Sequence, residues 1–264
     1  MKIIVTVKQV PDTQEVKIDP KTGALIREGV PCIINPEDKN AIEEALRIKE
    51  GCDDAVVTVL SMGPPQAEFA LREALVMGAD RAILVSDRAF AGADTLATSY
   101  ILAMAIKKIE KYDLILCGRQ AIDGETGQVG PQLAEGLNLP QATFAEEIHI
   151  RGNLLTVKSN FDSVTRVTEM KMPALIAVSN RVNKPRFKTM NNVLRAYRDK
   201  EIVTWTREDL KPNPLRIGFN GSPTRVKKTF IPSHSRDGLV IDKQAPDSAK
   251  DILDFILEKA LFRL

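Results

Sequence analysis

Four short apolar runs, Ile3–Val7, Ala55–Leu60, Ala82–Val85 and Leu114–Cys117, are separated by stretches whose apolar residues recur at helical spacing. A strand apolar at consecutive positions has both faces covered, and strands alternating with helices in this way build a parallel sheet flanked by helices. The boundaries carry matching signals. Asn35-Pro36-Glu37-Asp38 offers an N-cap, a proline at the first helical position and acids in the first turn, ahead of Ile42, Ala45, Leu46 and a stop at Gly51. Gly63-Pro64-Pro65 turns into a helix bearing Phe69, Leu71, Ala74 and Leu75, which Gly78 closes, and Asp94 caps a longer helix through Tyr100, Met104 and Ile109.

The pattern changes after Pro140. Ile148–Ile150 and Leu154–Lys158, joined by Arg151-Gly-Asn153, predict a hairpin that Ser163–Met170 continues, and Ala174–Val178 is apolar enough to return to the main sheet. From Asn183 onward proline, glycine, asparagine and basic residues dominate, and only Ala249–Leu261 regains a helical stripe. The expected fold is therefore α/β: a parallel-sheet, Rossmann-like nucleotide-binding domain with β-hairpin additions and an extended C-terminal arm. We divide it into residues 1–182 for that domain, 183–200 for a separate segment and 201–264 for an arm that packs on a partner.

Composition excludes several classes. A net charge of +2 gives no reason to invoke nucleic acid. No apolar run approaches the roughly 18 residues a membrane span needs, and the opening Met1–Lys8 is too short for a signal peptide. Three cysteines without metal-ligand spacing and two histidines point to reduced thiols in a cytoplasmic protein with no metal site. The turn after the first strand, Lys8-Gln9-Val10-Pro11, lacks the glycine-rich dinucleotide fingerprint, and neither a P-loop nor a serine nucleophile elbow occurs, which argues against an ATP-hydrolysing module.

One stretch carries chemistry. Between the strand ending at Cys117 and a helix-like run from Gln132, Gly118, Gly124, Gly127 and Gly130 open the backbone, and a helix start beyond such a loop suits a phosphate. Arg119, Gln120, Asp123, Thr126 and Gln128 add side chains for phosphate, ribose and base, with Ala121 and Val129 lining the same loop. Thr6, Asn35, Asp38 and Met62 lie at the carboxyl ends of the other strands or the helix start beside them. The bland alternatives are a long surface loop for the glycines, plain helix capping for Asn35, core filling for Met62 and a buried, unreactive thiol for Cys117.

Several runs in order resemble one family: Ile4-Val-Thr-Val-Lys8, Asn35-Pro36 before Glu-Glu-Ala-Leu, Leu60-Ser-Met-Gly-Pro64, Ala74-Leu-Val-Met-Gly-Ala-Asp80-Arg81, Gly118-Arg-Gln-Ala-Ile-Asp123, Leu139-Pro140-Gln141 and Asn183-Lys-Pro-Arg-Phe187. Together they resemble the small (beta) subunit of electron-transfer flavoproteins over nearly the whole chain. The resemblance implies a nucleotide at the loop, either AMP or FAD, and a large (alpha) subunit holding the electron-transferring FAD. Asp123-Gly-Glu-Thr-Gly-Gln-Val-Gly-Pro131 is similar to the electron-bifurcating branch, which implies FAD here, NADH as transient donor, and delivery to ferredoxin or flavodoxin and to a flavin-dependent dehydrogenase. AMP in a non-bifurcating carrier is the alternative. The segment from Asn183 to Tyr197 resembles the family's recognition loop, with Met190 as its apolar anchor, Lys184, Arg186 and Lys188 as surrounding cations, and Val193, Leu194 and Tyr197 on one side of a helix capped by Thr189. No acid, base or nucleophile is assigned, since a flavin would carry the chemistry.

Overall fold

Strand β1 (Lys2–Thr6) runs through the middle of a nine-stranded sheet, buried from its second residue onward because helices cover both of its faces. The computed structural model describes residues 1–12, 17–18, 25–26, 31–225, 241 and 244–258. After β1 come two short pairs: β2 (Gln9–Pro11), β3 (Lys17–Ile18), β4 (Leu25–Ile26) and β5 (Cys32–Ile34), with β2 antiparallel to β5 and β3 to β4. Helix α1 (Pro36–Glu50), β6 (Val56–Met62), α2 (Glu68–Met77), β7 (Arg81–Val85), α3 (Thr95–Ile109), β8 (Leu114–Gly118) and α4 (Val129–Leu137) complete the alternating part. Then follow β9 (Gln141–Arg151), β10 (Leu154–Phe161), β11 (Val164–Lys171), β12 (Ala174–Val178), α5 (Met190–Arg198), β13 (Ile202–Trp205) and the short α6 (Arg207–Leu210).

The strand order is β11-β10-β9-β12-β8-β1-β6-β7-β13. From β9 to β13 every pairing is parallel, and the meander β9–β10–β11 extends the sheet antiparallel at one edge. The chain builds outward from β1 through β6 and β7, then crosses to β8 on the other side. The order therefore reverses between β1 and β8, and a doubly wound sheet offers its ligand crevice at the strand ends beside such a reversal.

Alternation along the strands assigns each side chain to one of two cores. Ile3, Val5, Leu114, Leu116, Ile176 and Val178 pack with Ile42 and Ala45 of α1, Leu71 and Leu75 of α2 and Ala196 of α5. Ile4, Ile115, Cys117, Leu175 and Ala177 pack with Ile101 and Ile106 of α3 and Leu133 and Ala134 of α4. Two-sided burial is why these strands read as continuous apolar runs.

The structure departs from expectation in the segment beyond residue 200. Ile202–Trp205, expected in the arm, instead forms edge strand β13 beside β7. Lys200 donates to the Ala79 carbonyl and Arg72 donates to the carbonyls of Ala196 and Lys200, so backbone on both sides of that junction is tied to the sheet domain. The chain divides into two units, Met1–Lys227 and Lys228–Leu264. In the second, α7 (Asp247–Glu258) carries Ile252, Leu253, Ile256 and Leu257 at helical spacing, and the end of the expected helix, to residue 261, lies outside the described residues.

Ile115 is fully buried in the strand that leads to the loop. Ile115→Ala should cost about 2–5 kcal/mol through lost transfer energy and the cavity left behind. Urea unfolding followed by circular dichroism, with an unchanged slope and a lowered midpoint, is the expected result.

Candidate functional site

The first turn of α1 is built into the end of β8. Asn35 occupies the N-cap position and Pro36 the first helical one, as the sequence predicts, but the Asn35 side chain makes no capping bond. It is wholly buried and spans the gap to the loop instead: its Nδ2 donates to the Gln120 carbonyl at 2.9 Å, and the Ile122 amide donates to its Oδ1 at 3.1 Å. Glu37 Oε2 accepts from the Gln120 amide at 2.9 Å, while its Oε1 lies 3.0 Å from the Arg119 guanidinium. Asp38 accepts from the Lys8 amide at 2.8 Å and the Gly118 amide at 3.0 Å, one carboxylate oxygen to each. A single carboxylate thus joins the exits of β1 and β8 across the reversal.

Burial pushes the Asp38 carboxyl up to about 7, against the pull of its two amide donors and the Asn35 side chain, and neighbouring Glu37 adds to the rise. Burial, with Asp38 and Glu37 close by, also pushes the Cys117 thiol well above its usual range. A thiol so disfavoured as thiolate is no nucleophile at neutral pH.

The four glycines of the loop have different reasons. A Cβ on Gly118 would collide with Asp38 Oδ1 and the backbone of Glu37, and one on Gly130 would stand 2.9 Å from Cys117 Sγ. Both positions are small because the domain packs there, which revises the expectation that Gly130 clears room for a ligand. Gly127 takes a φ of +62°, with its Cβ position 3.6 Å from the Arg119 carbonyl, so the loop folds back over its own start. Gly124 faces open space, with no atom of the described residues within 4 Å of where a Cβ would stand.

The loop turns where the Ala121 carbonyl accepts from the amides of Gly124 and Glu125. Asp123 Oδ1 meets Lys8 Nζ at 2.7 Å, and Gln128 Oε1 accepts from Thr95 Oγ1 at 3.0 Å. Asp123, Gly124, Glu125, Thr126 and Gln128 are exposed, while Ala121, Gly127 and Val129 are half-buried. Helix α4 then begins with no capping side chain at Gln128 and no acid in its first turn, leaving its leading amides to another acceptor. Thr6 ends β1 between Leu60 and Cys117, and Met62 ends β6 opposite Val85, both on the loop's edge of the sheet but outside the hydrogen-bonded cluster.

Arg119 is the most constrained side chain of the loop. Its amide donates to the Val178 carbonyl at 2.8 Å, and its guanidinium lies 5.2 Å from the ring centroid of Phe144. Phe144 has a φ of +56° and stands where the pairing of β9 with β12 shifts register, and its ring also packs on Phe161. A bulge re-aims a side chain, and a bulky residue at positive φ is held there by its surroundings. Arg119 Nε is buried without a hydrogen-bond partner among the described residues. Lys8, Glu37 and Phe144 were not singled out from sequence. Glu37 was visible as an acid beside Asp38 at a helix start but read as complementing the helix dipole; nothing in sequence marks Phe144.

An open backbone turn, an uncapped helix start and an orphaned guanidinium donor together fit an anionic nucleotide bearing ring acceptors. The electron transfer flavoprotein domain model matches residues 22–210. The chain is 49% identical over 259 residues to the electron transfer flavoprotein subunit beta of Clostridium acetobutylicum, covering 98% of this chain and 99% of that one. It is also 49% identical over 241 residues to the caffeyl-CoA reductase-Etf complex subunit CarD of Acetobacterium woodii, covering 91% and 92%. With the acryloyl-CoA reductase electron transfer subunit gamma of Anaerotignum propionicum it shares 42% over 269 residues, covering 98% and 99%. The chain belongs to the electron transfer flavoprotein family.

In this flavoprotein subunit the segment before α5 is fastened to α1. Asn40 and Asn183 exchange side-chain-to-carbonyl bonds, and Asn183 also donates to Glu44. Arg186 makes a two-pronged contact with the buried Glu43, at 2.8 and 2.9 Å, and reaches Glu50 at 2.6 Å, while Lys188 meets Glu73 at 2.8 Å. Lys184, by contrast, is exposed. Thr189 caps α5 by accepting from the Asn192 amide. Phe187 and Met190 are 91% and 74% exposed, and Leu194 and Tyr197 are exposed beyond them, but Val193 turns inward against the core beside Ala196. The helical side expected to carry Val193 with Leu194 and Tyr197 is therefore split between core and surface.

Asp38 links pH to stability. Its carboxyl is raised from 3.8 to about 7, so between those values the folded protein holds a proton that the unfolded chain has released. Its contribution must therefore fall as pH rises from about 4 to about 7 and stay low above that. Asp38→Asn should abolish this part of the slope in denaturation midpoints measured from pH 4 to 8. Asp38→Ala should instead lower stability throughout, by about 1–3 kcal/mol for each amide left unsatisfied.

Proposed function

We propose that the chain is the small subunit of a heterodimeric electron-transfer flavoprotein of the bifurcating kind. It holds FAD at the 118–130 loop, receives electrons from NADH, and works with a large subunit that carries a second FAD. One electron goes to ferredoxin or flavodoxin and the other, through the large subunit, to a flavin-dependent dehydrogenase. The observation that carries the reading is the open turn at Gly124 beside the uncapped start of α4. The names of two relatives support it: one belongs to a caffeyl-CoA reductase-Etf complex and another serves an acryloyl-CoA reductase as its electron transfer subunit.

Bound FAD would supply acceptance of a hydride and release of single electrons, which no protein side chain offers. The chain's own residues bind and orient. Amides from Thr126 to Val129 and the positive end of α4 would receive the diphosphate, with each charge-assisted bond contributing roughly 1.5–3 kcal/mol. Asp123 and Thr126 give polar contacts at the rim, with Asp123 directed by Lys8. Thr6, Met62, Gln120, Ala121 and Gln128 form the walls. Residues 183–200 meet the dehydrogenase, and the arm expected over 201–264 packs on the large subunit through α7 rather than through β13, which belongs to the sheet.

Flavin stoichiometry is the deciding measurement. The purified heterodimer should contain two FAD; one FAD with one AMP would establish the non-bifurcating alternative. Gly124→Val, which fills the open space with a stiff side chain, should lose the small-subunit nucleotide with little change in thermal unfolding. Full occupancy in that variant would refute the loop assignment.

Docking has its own test. Met190→Ala should weaken transfer to the dehydrogenase by about thirtyfold in affinity, the loss typical of an interface anchor, with flavin content unchanged. Bleached flavin or an unfolded subunit would place Met190 in a structural role instead.

A further inference from the structure

We infer that Arg119, held by Glu37 and Phe144, recognises the planar ring of the bound nucleotide through its buried Nε–H and leaves the phosphates to the backbone. This rests on the nucleotide reading of the loop and deepens it by naming a specificity residue and its two positioning residues. Three observations support it. Glu37 lies 3.0 Å from the guanidinium and offsets its charge, so the pair offers an anion little net attraction. Acids also line the loop, with Asp123 and Glu125 on the rim, and the Lys8 ammonium is engaged by Asp123. Phosphate recognition therefore falls to amides and the α4 terminus.

What Arg119 retains is direction. Its plane is set by the Phe144 ring at 5.2 Å and by Glu37, and its Nε donor is buried without a partner among the described residues. A desolvated N–H of this kind is costly until an acceptor meets it. Ring carbonyls and ring nitrogens are neutral acceptors in a plane, a match for a guanidinium that also presents a flat face. Phe144 and Glu37 act through Arg119 and touch no reacting atom, so they are positioning residues. The backbone at Phe144 is consistent with that task, since a bulge and a φ of +56° bring a bulky ring beside the loop.

The acceptor ring is either adenine or the flavin ring, and the probes separate them. The heterodimer is stripped of nucleotide and titrated calorimetrically with FAD, AMP, adenosine and riboflavin, following the site that Gly124→Val removes. Arg119→Lys keeps the charge but lacks the Nε–H; Phe144→Leu removes the ledge. Both should weaken FAD by about tenfold, the effect of one hydrogen bond. Either adenosine or riboflavin should weaken by the same factor, according to which ring is read, and the ratio of AMP to adenosine affinity should stay at its wild-type value. A merely structural role would not separate the probes in this way, and thermal unfolding of each variant checks folding. Nucleosides binding as in the wild type while AMP and FAD weaken would overturn the inference, because Arg119 would then read phosphate. So would unchanged binding of all four probes in both variants. Full FAD content in Gly124→Val would overturn the nucleotide reading itself, and the inference with it.

Discussion

The Asp38 carboxylate is the constraint on which the site depends. It lies at the strand-order reversal and accepts one amide from Lys8, two residues beyond β1, and another from the last residue of β8. Doubly wound sheets diverge at this point, and divergence exposes backbone groups that must find partners. Here a side chain from the first turn of α1 supplies them. Consequently the loops after β1 and β8 are fixed relative to each other through protein contacts alone. Gly118 must then be glycine, since a side chain would enter the space the carboxylate fills. The cost is an acid buried deeply enough to titrate near neutrality.

Helix α1 extends that constraint along its length. Asn35, Glu37 and Asp38 hold the loop after β8, and Asn40, Glu43, Glu44 and Glu50, further along, hold the segment from Asn183 to Arg186. One rigid element therefore frames both the proposed cofactor site and the proposed docking element. The cations of the latter divide accordingly. Arg186 has a two-pronged, partly buried contact with Glu43, which costs far more to break than a surface pair. Its removal would loosen the segment, whereas the exposed Lys184 would, in the proposed docking, steer a partner.

The alternation of strands and helices was legible because burial on both faces leaves an unbroken apolar run, as in Leu114–Cys117. Caps at Asp94 and Thr189 were legible because each side chain bonds an amide of its own first turn, although Asp94 also accepts from the distant Thr224. Asn35 had the same appearance, but its side chain serves a loop 85 residues away in sequence, and local pattern carries no sign of such a partner. Edge strand β13 was missed for a related reason: four residues bounded by polar neighbours become a strand only because β7 offers an open edge. Glycine is similarly mute about its cause. Gly118 and Gly130 are packing positions, Gly127 a turn and Gly124 open surface, and all four look alike in sequence.

These differences show where the chain's specificity resides. In the proposed reading, a subunit that leaves the chemistry to a bound flavin would influence it through position, hydrogen bonds and local charge. Position comes from backbone fixed by buried polar contacts, which lose little entropy on binding because they are already made. Local charge is nearly cancelled, with Lys8 against Asp123 and Arg119 against Glu37. A site without excess cationic side chains, offering amides at the start of α4, would hold an anion without surrounding it with positive charge. Such an arrangement separates tight binding from strong electrostatic stabilisation of extra electrons, which a carrier that must release its electrons requires.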